Sequence, residues 1–317
     1  MLTAACRDFT ELGYKVLIPI DSRLQPQPDV LATKYPVSSE TELMPTLERL
    51  AQQVDKILIV APETDNCLLD LLRSLRAHRS KLLNPGEEFT ALASDKNRMQ
   101  TWLSERGIPV PLGASADQWP STPTPQANQL VLKPADGCGG HGLQILPTPL
   151  SQQDILAAVR STGFSRQTKV PPKGGTTNDS QTTMQNHSQR LHQKDQQLLS
   201  RWRVEEYVEG TPASVSVIRS QSTTSEIQIL PPLRQVFFDD YPGKFSHCQD
   251  DLPDDLAARA KDLANQTLTA LPDFSGFIGI DVVLGPRDVV IEINPRLTMS
   301  YCVLPNGLDL PTVTRNA

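Results

Sequence analysis

Two apolar runs, Gly276-Phe277-Ile278-Gly279-Ile280-Asp281-Val282-Val283-Leu284 and Val289-Val290-Ile291-Glu292-Ile293-Asn294, flank Gly285-Pro286-Arg287-Asp288. Alternating character on both sides of a Gly-Pro turn predicts a β-hairpin. The hairpin fixes a register. With Leu284 opposite Val289, counting outward sets Asp281 across from Glu292, and Asn294 shares the face of Glu292. Directly opposed residues of an antiparallel pair lie roughly 5 Å apart at Cβ, and like charges there repel. A divalent cation between the carboxylates turns that repulsion into a binding site. Carboxylate and amide oxygens suit Mg²⁺, with Mn²⁺ as an alternative ion. The plain alternative is a pair of solvated surface acids, which costs little.

A chain of 317 residues is expected to hold two or three compact units. Its net charge of -6 argues against a nucleic-acid binder, because no basic stripe is present to neutralise a phosphate backbone. No apolar run approaches the ~18 residues that span a bilayer. The opening residues lack a basic segment followed by an apolar core, so no secretory signal is read. Cys6, Cys67, Cys138, Cys248 and Cys302 are scattered and without CxxC spacing. That usage fits reduced thiols in a cytoplasmic protein rather than a disulfide frame or zinc site.

Residues 1–90 alternate helix and strand, which points to a small open α/β sheet. An amphipathic stretch from Leu2 to Leu12 leads through Gly13 into Val16-Leu17-Ile18-Pro19-Ile20. Ser39 is a candidate cap for a helix from Glu40 to about Gln53, with Glu42 completing a capping box. Lys56-Ile57-Leu58-Ile59-Val60 reads as a short buried strand, and Leu68, Leu69, Leu72 and Leu75 mark one face of a helix ending near Arg79. Ser94 is the expected cap of a helix to Glu105, stopped by Gly107. Gln, Ser, Thr, Asn, Lys and His dominate residues 161–200, a composition that predicts a disordered insertion. Pro253 with Asp254 and Asp255 opens a last helix to about Leu268 before the hairpin.

Lys133-Pro134-Ala135-Asp136-Gly137-Cys138-Gly139-Gly140-His141-Gly142 sets a lysine at a strand end beside four glycines. Glycines let backbone N–H groups turn onto a phosphate, and the lysine adds a point charge for the same oxygens. A simple tight loop is the alternative, and a Walker A loop is excluded because the lysine precedes the glycines. Lys96 offers a second cation, or a solvent-facing surface lysine. Glu205-Glu206-Tyr207-Val208-Glu209-Gly210 reads as a strand whose backbone is suited to an adenine edge, or as an edge strand with solvated acids. His141 is read as a polar loop histidine.

Asp95-Lys96, Val131-Leu132-Lys133-Pro134, the glycine loop, Glu205 to Gly210, Gly279-Ile280-Asp281 and Glu292-Ile293-Asn294-Pro295-Arg296 occur in that order. This succession, over roughly residues 90–301, resembles the ATP-grasp superfamily of carboxylate–amine and carboxylate–thiol ligases. Ala61-Pro62-Glu63-Thr64-Asp65, and Glu292-Ile293-Asn294-Pro295-Arg296-Leu297-Thr298 followed by Ser300-Tyr301, resemble more closely the branch that includes tyramine–glutamate ligase of methanopterin-linked cofactor synthesis. The resemblance implies an α/β (α+β) fold. It comprises a pre-ATP-grasp domain over 1–90 and an ATP-grasp domain over 91–317, divided near 204/205.

By the same resemblance, Lys96 and Lys133 would hold ATP phosphates under a loop that includes Gly137, Gly139, Gly140 and Gly142. Glu205, Glu206 and Val208 would form the adenine hinge, the latter two through backbone groups. Glu209 would stand in for a ribose-binding acid, since Ala213-Ser214 occupy the place just before the next strand. Asp281, Glu292 and Asn294 would carry Mg²⁺. Arg296 would face the γ-phosphate or the reacting carboxylate, and Arg234 would bind the substrate carboxylate. The implied partners are ATP and a small carboxylate and amine, with no nucleic acid and no membrane. The family's first strand and closing helix are not found, so shortened ends are an expectation.

Overall fold

Apolar spacing in the first hundred residues builds helices and strands in turn. The computed structural model describes residues 1–24, 29–119, 127–162, 192–220, 227–240 and 243–304. Two compact units divide the chain: residues 1–110, 209–236 and 245–317 form one, and residues 111–208 with 237–244 form the other.

The first unit opens with α1 (Leu2–Glu11), β1 (Leu17–Asp21), β2 (Thr33–Val37), α2 (Glu40–Gln53), α3 (Cys67–Ser74), α4 (Glu87–Ala93) and α5 (Lys96–Ser104). β1 and β2 pair in parallel. Residues 56–60, expected as a strand, form an extended segment with a single parallel bridge, Ile57 to Leu82. The Asn84 side chain takes over from a ladder there, bonding both the N–H and the carbonyl of Ile59 at 2.8 Å. Three expected details of helix ends are corrected. Ser39 makes no side-chain cap; Glu42 instead accepts from the Ser38 backbone and hydroxyl. The helix expected to run to Arg79 stops at Ser74, and a 3₁₀ turn covers Arg76–Lys81. Asp95, not Ser94, caps α5, because its longer carboxylate reaches the N–H groups of Asn97 and Arg98.

The second unit contains β3 (Gly113–Ser115), β4 (Gln129–Pro134), β5 (Gln144–Pro147), α6 (Gln152–Ser161), α7 (192–199) and β6 (Trp202–Glu206). Its sheet runs β3-β6-β4-β5. One face packs Leu130, Leu132, Trp202 and Val204 against Ile155, Val159 and Leu199. The stretch 161–200, expected to be disordered, therefore ends in a helix whose Leu199 is buried. Its earlier part, 163–191, lies outside the described residues, as does the tail over 305–317. Polar composition hid α7 because one buried leucine suffices to anchor two turns.

The chain then completes the first unit with β7 (Thr211–Arg219), β8 (Ile227–Ile229), β9 (Leu233–Phe237), β10 (Phe245–Gln249), α8 (Asp254–Ala270), β11 (Gly276–Leu284) and β12 (Val289–Asn294). The strand order is β10-β9-β7-β11-β12, with β8 also on β7. β7 starts earlier than expected and already contains Ala213-Ser214. β11 is an interior strand packed on both faces, which explains its nearly continuous apolar run. Ile278, Ile280 and Val282 face Phe89, Met99, Leu103 and Leu263, while Phe277 faces Leu233, Leu297 and Tyr301. Among the described residues no helix is long and apolar enough to cross a membrane. All five cysteines are free thiols.

Candidate active site

Asp281 and Glu292 are direct partners in the β11–β12 ladder, as the hairpin requires. The route to that pairing differs from simple counting. The ladder closes at Val283–Val289, Val282 pairs with Val290, and a bulge skips Ile291 before Asp281 meets Glu292. The two departures cancel, so both carboxylates and Asn294 still share a face. Asn294 Nδ2 donates to Asp281 Oδ2 at 3.0 Å, and Ser214 is the residue paired with Asp281 on β7. Lys96, at the first turn of α5, reaches Glu292 at 2.9 Å. Burial, and then the neighbouring Glu292 charge, push Asp281 up to about 7, while nearby Ser214, Gln235 and Asn294 offset part of the rise.

Asp281 Oδ1 is buried without a hydrogen-bond partner. An orphaned carboxylate oxygen facing a second carboxylate and an amide is a donor set that fits Mg²⁺, which takes few protein ligands and fills its other positions with water and phosphate oxygens. Among the described residues no group of three or more His, Cys, Asp or Glu gathers. The cluster here has two carboxylates, with the Asn294 amide against one of them.

Arg296 follows this strand by two residues. Its Nε lies 2.9 Å from Glu63 Oε1, and both side chains are largely buried. The contact is one of charge, since neither Glu63 oxygen is aligned for a hydrogen bond. Glu63 sits in a turn where Asp65 (φ 53°) and Asn66 (φ 59°) are left-handed in succession. Non-glycine residues seldom hold that conformation, and such strain gathers at functional sites. Arg234 is held by Asp251, Nε to Oδ1 at 2.8 Å and Nη2 to Oδ2 at 2.5 Å, and by the Gln249 amide oxygen. Its fork thus already grips a carboxylate bidentately.

In the second unit, Lys133 at the end of β4 pairs with Glu205, which also accepts from Arg203 Nε at 2.6 Å. All three are at most 5% exposed. Burial pushes the Glu205 carboxyl up, but Lys133 and Arg203 more than reverse this and hold it below the usual carboxylate range. The Glu206 N–H donates to the Leu112 carbonyl, and its carboxylate accepts from the Leu112 N–H, both at 2.8 Å. That N–H is therefore committed within the sheet. Val208 is half-buried and Glu209 exposed. In the glycine loop Gly139, Gly140 and Gly142 have positive φ and Gly137 does not. A Cβ on Gly140 would lie 1.8 Å from the Gly243 carbonyl oxygen, so that position demands glycine for space as well as for φ.

Sequence reasoning missed Arg203, Ser214 and Gln100, and gave Glu63 no role. Arg203 was legible in principle, since it stands two residues before Glu205 on a strand and shares its face. Gln100 was not, because nothing local announces the bulge that it serves. Its Nε2 donates to the carbonyls of Val290 and Ile291, at 3.3 and 2.6 Å.

The opposed carboxylates thus lie on an antiparallel sheet, and a second sheet carries a strand-end lysine before a glycine loop. A family model for the ATP-grasp domain matches residues 93–159 and 170–300, and one for the pre ATP-grasp 3 domain matches residues 14–88. The chain belongs to the ATP-grasp family. Its fold is similar to that of a putative ATP-grasp superfamily protein from Archaeoglobus fulgidus. The TM-score is 0.60 at 17% identity, over 94% of this chain and 73% of that one. A biotin carboxylase–β-γ-ATP complex from Campylobacter jejuni superposes with a TM-score of 0.67 at 18% identity, over 95% of this chain and 64% of that one. For an L-amino acid ligase from Bacillus licheniformis the TM-score is 0.59 at 13% identity, over 94% and 65%. The chain thus spans less than two thirds of the latter two proteins. No curated protein matches the sequence.

Proposed function

We propose that the protein is an ATP-dependent, ADP-forming carboxylate–amine ligase that works through an acyl phosphate. The observation that carries this reading is the Asp281–Glu292 pair, with Asn294 on its face and Lys96 on Glu292. Opposed carboxylates with an orphaned oxygen suit a metal–phosphate complex better than they suit a structural role. Mg²⁺ held by Asp281, Glu292 and Asn294 would neutralise charge on the β- and γ-phosphates.

This chain's residues would do the rest by positioning and electrostatics. Lys96 and Lys133 bind phosphate oxygens, and the loop with Gly137, Gly139, Gly140 and Gly142 excludes water from the acyl phosphate. Glu206 and Val208 hold adenine through backbone groups, with Glu206 contributing its carbonyl because its N–H is committed to Leu112; Glu205, expected in the same hinge, instead spends both carboxylate oxygens on Lys133 and Arg203. Glu209 meets the ribose. Arg296 steadies the γ-phosphate or the reacting carboxylate, and Arg234 binds the acid substrate on exchanging Asp251 for it. The γ-phosphoryl passes to the substrate carboxylate; an amine then displaces phosphate and forms the amide.

For substrates we propose glutamate and an aromatic amine such as tyramine, as in methanopterin-type cofactor synthesis. Support comes from the 61–65 and 292–301 motifs, which the Glu63–Arg296 contact joins. ADP release from Mg²⁺-ATP with glutamate and a panel of amines tests the reading. ADP that appears only with a particular acid–amine pair supports it. Silence across the panel, with ATP still raising the melting temperature, leaves a nucleotide-binding protein without turnover or a substrate outside the panel. ADP formed with a thiol or carbamate acceptor keeps the fold and changes the bond.

A further inference from the structure

We propose that Arg203 is a positioning residue: it holds Glu205 while Lys133 exchanges that carboxylate for a phosphate of the bound nucleotide. The inference rests on reading Lys133 as a phosphate ligand. Lys133 and Arg203 are direct partners in the β4–β6 ladder, a placement at which like charges repel. Glu205 stands two residues further along β6, on the face of Arg203. It divides its carboxylate, Oε1 toward Lys133 and Oε2 toward Arg203. Two buried cations sharing one carboxylate give the trio an excess positive charge, which suits an arriving anion.

A buried pair of one lysine and one carboxylate resists such an exchange. Drawing the lysine away strands the carboxylate in the interior, where an uncompensated charge is heavily penalised. Arg203 removes that penalty, because Glu205 keeps a guanidinium partner throughout. The two cations fit their parts. Arginine supplies a rigid planar fork for the permanent contact, and lysine a point charge on a flexible stem for the movable one.

Calorimetric titration of Mg²⁺-ADP and of adenosine into the full chain tests this without requiring turnover. Arg203→Met leaves a charge-balanced Lys133–Glu205 pair, so the variant is expected to fold; Arg203→Gln repeats the test should it melt out. The expected result is ADP binding weakened roughly tenfold or more, since Lys133 is now held by an otherwise stranded acid. Adenosine affinity stays unchanged, and Arg203→Lys recovers most of the ADP affinity. Wild-type ADP affinity in a folded Arg203→Met chain, beside weakened binding in Lys133→Ala, overturns this proposal alone. Equal weakening of ADP and adenosine also overturns it, by making Arg203 a structural residue only. Lys133→Ala that binds ADP normally, or a wild-type chain that binds none, overturns the phosphate reading and this inference with it.

Discussion

Gln100 Nε2 donates to the carbonyl of Ile291, 2.6 Å away, at the residue of β12 that the β11 register skips. Gln100 and Lys96 are four apart on α5, hence on one face of the helix. One residue therefore satisfies the bulge while the other meets the carboxylate that the bulge brings into line. Gln100→Met keeps the volume and removes the donor. It is expected to cost about 1–3 kcal/mol in urea denaturation, the penalty of unsatisfied buried acceptors, and to weaken Mg²⁺-ATP binding. Unchanged stability would show that the bulge holds itself.

Asp281 gives the proposed metal site a pH signature. Its carboxyl, pushed up to about 7, holds a proton in the folded chain where the unfolded chain has lost it. The folded state thus binds more protons above the ordinary carboxylate range near pH 4. The stability that this contributes is full below that range and is lost as pH rises through 7. Asp281→Asn should flatten the fall of the urea midpoint over this window. Mg²⁺ needs the ionised form, so its binding should release protons below pH 7, read as a buffer-dependent calorimetric heat. Glu292→Gln removes the like charge without changing volume. It should lower the midpoint of proton release and abolish turnover while the chain stays folded.

The strained turn at Asp65 and Asn66 leaves Glu63 inside the first unit with Arg296 as its ion-pair partner. Arg296→Met strands that carboxylate and should cost about 3–5 kcal/mol. In the double variant with Glu63→Gln much of the loss should return. Additive losses in a double-mutant cycle of urea midpoints would deny the coupling.

Gly139 and Gly140 separate conformational from steric demand within one loop. A Cβ on Gly139 meets nothing closer than 3.6 Å, so alanine there should cost about 1–2 kcal/mol for its left-handed backbone alone. Alanine at 140 collides with the Gly243 carbonyl and must displace the loop. Nucleotide affinity, measured by titration, should fall far more for Gly140→Ala than for Gly139→Ala.

What the sequence disclosed followed local periodicity. The Gly276–Asn294 run carried the hairpin and the Asp281–Glu292 pairing, since a period of two survives two compensating irregularities. The bulge itself stayed hidden, because the side chain that meets its carbonyl, Gln100, lies nearly two hundred positions upstream. Helix caps were misjudged where two neighbouring side chains competed, Ser94 against Asp95, and only geometry decides the winner. Lys133 and Glu205 were legible as single residues of motifs. Their sharing with Arg203 emerges only when β4 lies against β6.

The Tyr301 hydroxyl donates to Asp8 at 2.7 Å, joining positions nearly the whole chain apart. β11, an interior strand of the first unit, leaves the ribosome after every residue of the second unit has been made. Synthesis therefore delivers a foldable inner segment well before the outer one can close, and the apolar faces of α1, α4 and α5 must wait for it. Pulse-labelled nascent chains arrested before residue 276 should resist protease within Gln129–Ser161 and Trp202–Glu206 and be cut in the first hundred residues.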